Sequence, residues 1–109
     1  MSENSVVNYS INLPSKLNIK TIFDIRNIIL DKLSMGKGLT IHVPDDSEVD
    51  LSFVQLIESA RIYAKSSGVI LSLAQAANAR LRDVLDRSGF SAGFSQEDEK
   101  FWFHGKAQQ

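Results

Sequence analysis

The side chains able to do chemistry in this chain are few, and their spacing limits what they can do. His42 sits inside an apolar run and His104 lies sixty-two positions further on, with no third ligand at helical spacing. They do not make a metal pair, and His42 reads as a sheet residue with its ring hydrogen-bonded. Four carboxylates cluster at Asp45, Asp46, Glu48 and Asp50. A calcium loop needs ligands spread over about twelve residues around a central Gly, and that pattern is missing. A solvated acidic loop ending in a helix cap fits these residues better. Gly36/Gly38 and Gly89/Gly93 lack the spacing and the Lys-Ser/Thr partner of a phosphate-cradling loop. No Gly-x-Ser-x-Gly elbow places a serine nucleophile. The expectation is a non-catalytic protein with no catalytic residue, no metal and no cofactor.

The elements around these residues follow from hydrophobic period. Val7, Tyr9, Ile11 and Leu13 alternate with polar residues, predicting a half-buried strand that Pro14 stops. Ile22, Ile25, Ile29 and Leu33 share one helical face, with Asn18 as the expected cap and Gly36 and Gly38 as the expected stop. Residues 39–43 read as a second strand, ended by Pro44 and the acidic loop. A second helix is predicted over 51–67, capped by Asp50 and closed by Gly68. Phe53, Ile57, Ala60 and Ala64 should face inward, and Gln55, Glu58, Arg61 and Lys65 outward. Residues 69–73 make a third strand, and Asn78 caps a third helix carrying Leu81, Val84 and Leu85, which Gly89 terminates. Strands joined through helices pair in parallel with right-handed crossovers, so 39–43 and 69–73 should be parallel neighbours.

Composition bounds the class. The 109 residues suit one domain with one core, and 43% hydrophobic with 23% charged residues is ordinary for a globular chain. Residues 1–5 are polar and expected to be disordered, leaving 6–109 as a single domain whose tail, 91–109, is packed or partly mobile. No apolar run is long enough for direct membrane insertion, and no secretory pattern opens the chain. Without cysteine there is neither a disulfide framework nor thiolate chemistry, which fits a cytoplasmic protein. A net charge of −1 with no basic stripe argues against nucleic acid as a partner.

From Leu39 to Gly68, the order of strand, acidic loop and Asp-opened helix resembles the STAS domain of bacterial anti-sigma-factor antagonists. Val43, Val49, Asp50 and Val54 fall on the matching positions of that family's strand–loop–helix junction. The resemblance extends over about residues 6–90. Asn78 stands where the family has a capping Ser, and the prolines expected nearby are missing. The fold so implied is a small STAS-like α/β sandwich, a mixed sheet with helices mainly on one face. The function implied is a signalling module that binds a regulatory partner, such as a histidine kinase, an anti-sigma factor or a chemotaxis-type component. The alternative is a cytoplasmic subunit of a lipid-transport ATPase complex. Nucleotide binding occurs in parts of the family, although an acidic loop repels phosphates.

By the same resemblance, the partner-binding residues are Asp50, Leu51, Ser52 and Phe53. Family antagonists are switched by phosphorylating a Ser directly after the Asp, where added charge releases the partner. Leu51 stands there and has no hydroxyl. Ser52 is the remaining phosphorylation candidate, turned about 100° around the helix from that position. Phe53 replaces the family's Gly and either enlarges the docking surface or folds inward onto the sheet. Val49, Asp50, Gln55 and Leu56 resemble members found beside chemotaxis and two-component systems that have lost the acceptor.

The other distinctive stretch is the tail. Ser95 and Asp98 have the spacing of a capping box. Phe101, Trp102 and Phe103 are consecutive aromatics that cannot all enter one core. Either they pack back on the sheet or at least one serves an interface.

Overall fold

The computed structural model describes residues 8–105. Its centre is a three-stranded parallel sheet in the order β1 (Asn8–Asn12), β3 (Gly38–His42), β5 (Ile70–Leu73). The register sets Tyr9 beside Leu39 and Leu39 beside Leu71, with Ile11, Ile41 and Leu73 in the next row. Leu39, Ile41, Ile11 and Leu73 are buried, so this side is the dry one. Side chains alternate across a strand. The other side therefore carries Asn8, Ser10, Asn12, Thr40, His42 and Ser72, all exposed or half-buried. The helices gather on the apolar side, and the α/β architecture expected from the sequence is present. Every strand pair among the described residues is parallel, so the antiparallel member of a mixed sheet is not seen.

Helix α1 (Ile22–Leu33) buries Ile25, Ile29 and Leu33. Its N-cap is Thr21, not the predicted Asn18. Asn18 instead forms a local turn, its side-chain oxygen accepting from Lys20 N–H at 2.9 Å. That is the usual competition of Asn with helical geometry. The helix also stops before the expected glycines, through Ser34, whose N–H returns to the Leu30 carbonyl. Gly38 opens β3, where an added Cβ would run into the Asn8 side chain. Helix α2 (Leu51–Ser67) buries Phe53, Val54, Ile57, Ala60 and Ala64, and ends at Gly68 in the left-handed region at φ 73°.

A second, two-stranded ladder pairs β2 (Lys16–Leu17) with β4 (Glu48–Val49), and it has no counterpart in the sequence reading. Leu17 is fully buried and anchors it. Helix α3 (Ala79–Arg87) is capped by Asn78, whose oxygen accepts from Leu81 N–H at 2.9 Å. A 3-10 turn (Ser91–Gly93) leads to α4 (Gln96–Phe103). The expectations for residues 1–5 and for 106–109 lie outside the described residues.

Candidate functional site

Asp50 is the residue around which one end of the molecule is built. As the N-cap of α2 it accepts from Ser52 N–H at 3.0 Å, and the Ser52 hydroxyl donates to the same oxygen. Its other oxygen accepts from Ile19 N–H at 3.0 Å, 31 positions away in the chain. Asp50 N–H in turn donates to the Leu17 carbonyl at 3.2 Å. The starts of α1 and α2 are thus held together by one carboxylate beside the β2–β4 ladder. Burial pushes the Asp50 pKa up, but hydrogen bonds from the Ser52 side chain and from Ile19, Ser52 and Phe53 N–H outweigh it. Its carboxyl is held below the ordinary carboxylate value. Asp50 is a charged clamp whose lone pairs are already engaged.

The acidic loop is fixed from beneath. Ser47 is fully buried, and Asn78 Nδ2 donates to the Pro44 carbonyl at 3.1 Å and to Ser47 Oγ at 3.4 Å. Asn78 therefore caps α3 and staples the loop with one side chain. Glu48 accepts from Asn18 Nδ2 at 3.2 Å. Asp45 and Asp46 face solvent. No group of three His, Cys, Asp or Glu able to hold a metal occurs among the described residues.

Of the four expected contact residues, the structure brings one fully to the surface. Leu51 is 41% exposed. Asp50 is half-buried at the rim. Phe53 corrects the expectation: it is fully buried in the core and cannot touch a partner. Ser52 is half-buried and gives its hydroxyl to Asp50. A phosphate on Ser52 would stand against that carboxylate, a like-charge contact that disfavours the modified state.

Two residues join the site that the sequence reading did not single out. Ile19 is 68% and Phe23 67% exposed, large apolar side chains left in water. Ile19 is held next to Asp50 by its own N–H, and Phe23 lies in the first turn of α1. With Leu51 they are the large exposed apolar side chains at the beginnings of α1 and α2, where Asp24 and Asp50 supply the carboxylates. A signal was available, because Phe23 falls off the Ile22–Ile25–Ile29–Leu33 face. A single exposed apolar residue is ordinary, and it points to a contact surface only where others gather beside it.

The tail takes the inward alternative. Trp102 is fully buried and Phe103 almost so, while Phe101 is half-buried. Ser95 and Asp98 form the predicted capping box. Glu58 and Arg61, expected to face solvent, are covered by α4. Trp102 Nε1 donates to Glu58 at 2.7 Å, and Arg61 pairs with Asp98 at 3.0 Å and Glu58 at 2.9 Å. The Arg61 guanidinium also lies 4.5 Å from the Phe101 ring centroid. The histidines are separate: His42 Nε2 is 3.0 Å from Ser10 Oγ on the open sheet face, and His104 Nε2 donates to the Leu73 carbonyl at 3.0 Å. No helix among the described residues is long and apolar enough to cross a membrane.

No family model matches this chain, and neither the curated proteins nor the solved structures compared with it gave a match.

Proposed function

We propose that this protein is a non-catalytic, cytoplasmic module of bacterial signalling that binds a regulatory protein through the paired beginnings of α1 and α2. The observation that carries the reading is the exposure of Ile19, Phe23 and Leu51 at the beginnings of α1 and α2, which the Asp50 carboxylate ties together. An apolar centre with a charged rim is how interfaces divide affinity from specificity. The STAS resemblance supports the same end of the second helix as the docking surface, and a partner of the histidine-kinase, anti-sigma or chemotaxis type. Leu51 at the family's acceptor position supports binding without a serine-kinase switch.

The test starts from a partner captured with the full chain and identified. Leu51→Asp places a charge where the family's phosphate stands, and calorimetric titration should show affinity reduced by at least about tenfold, roughly 1.4 kcal/mol. The melting temperature should change little, since Leu51 is exposed. Unaltered affinity in folded Leu51→Asp would move the binding surface away from this end.

A further inference from the structure

Beside β5 lies a groove of about 530 Å³, within the range of ligand-sized sites. One wall is the outer edge of β5, where the sheet order among the described residues ends. α4 lines the groove with Glu97, Lys100, Phe101 and His104, and α2 with Arg61, Ile62 and Lys65. Ile70 N–H donates to the Lys37 carbonyl and Ala74 N–H to the Ile41 carbonyl, so residues 70, 72 and 74 aim at β3. Peptide groups alternate along a strand, which turns the N–H and C=O of Leu71 and Leu73 toward the groove. The Leu73 carbonyl is taken by His104. Leu71 presents both a donor and an acceptor there.

We infer that this groove accepts an extended, apolar, uncharged segment of a partner protein as a fourth strand, paired to Leu71 and sheltered by α4. Strand addition to an open edge takes its affinity from main-chain bonds and its selectivity from alternating side chains. Among the described residues no strand pairs with this edge, and β5 has no Lys or Pro of the kind that normally blunts such edges. The charges lining the groove cancel, three acids (Glu58, Glu97, Asp98) against three bases (Arg61, Lys65, Lys100). A segment without net charge is the complementary guest. This surface differs from the α1–α2 end and stands or falls independently of the proposed function.

The probe is an end-blocked peptide of alternating Val and Thr, titrated up to about 1 mM into the isotope-labelled full chain and followed by amide shifts and hydrogen exchange. Shifts should map to β5 and α4, with exchange at the Leu71 amide slowed at least about tenfold. Ile70→Lys, which adds a charge at an exposed position, should abolish binding without lowering the melting temperature. Absence of binding, shifts elsewhere, or binding unaffected by Ile70→Lys would overturn the inference. So would a Leu71 amide already protected in the free protein: protection growing with concentration would assign the edge to a second copy. Protection lost on truncation after Gly105 would assign it to the chain's own end.

Discussion

Replacing Asp50 with Ala would remove the α2 cap and the bond that ties α1's entry to α2, and the two effects can be separated. Loss of an N-cap costs about 1 kcal/mol. The Ile19 N–H bond to a carboxylate is charge-assisted, about 1.5 kcal/mol at the low end, and the low end suits a half-buried site where water can replace it. Asp50→Ala should therefore lose about 2–2.5 kcal/mol, which for a domain of this size lowers the melting temperature by about 10–20 °C. Asp50→Ser keeps a cap acceptor for α2 but is too short to reach Ile19, so its loss should be near half of that. The wild-type advantage also has a pH signature. The folded pKa of Asp50 lies below its ordinary value of 3.8, so its stabilisation is present above that value and fades as pH falls through the folded pKa. The stability difference between wild type and Asp50→Ala should be flat at neutral pH and shrink below about pH 4. Asp98 also has a lowered pKa, from hydrogen bonding to Ser95 and Arg61 that outweighs burial, but it is common to both proteins and cancels. Urea unfolding across pH is the assay. An Asp50→Ala loss below about 0.5 kcal/mol, or an Asp50→Ser loss equal to it, would refute the clamp.

Three further outcomes are expected. Trp102→Ala empties a fully buried site and orphans its bond to Glu58, so urea midpoints should report a loss of about 3–5 kcal/mol. Gly68→Ala forces a Cβ into the left-handed region at φ 73° and should cost about 1 kcal/mol, with the denaturant slope unchanged. A double-mutant cycle on Arg61 and Asp98 should give a coupling of at least about 0.5 kcal/mol, because the pair is half-buried; zero coupling would mean that this ion pair does not hold α4 in place.

Local signals were legible and remote ones were not. Asp50, Asn78 and Ser95 declared three helix starts because a cap is a property of a few adjacent residues. Tyr9 and Ile11 showed their period of two, and of α2's inward face Ile57, Ala60 and Ala64 were readable, while Val54 joins them in the core. The β2–β4 ladder was invisible: two-residue strands carry no periodicity, and Leu17 becomes an anchor only when Val49 arrives beside it. Asn18 looked like a cap because its chemistry suits one, yet Thr21 already turns the chain. Glu58 and Arg61 looked solvated because opposite charges at i, i+3 are typical of an open helix face. Only the docking of α4 shows that they have another task. Phe53 was ambiguous because a first-turn residue faces the sheet or the solvent according to how the helix is seated.

The parallel pairing has a kinetic consequence. Each ladder joins residues thirty or more positions apart, Asn8 to Gly38, Lys16 to Glu48 and Gly38 to Ile70. Among the described residues no hairpin can form early, so each of these ladders must first close a long loop, which costs entropy before any contact is gained. The helices can flicker into place within their own segments, whereas β3 is the strand on which both neighbours of the central sheet depend. Collapse is then expected to organise around β3 with α1 and α2, and the Lys16–Glu48 ladder to lock afterwards. Substitutions at Leu39 or Ile41 should slow refolding, while those at Leu17 should mainly speed unfolding.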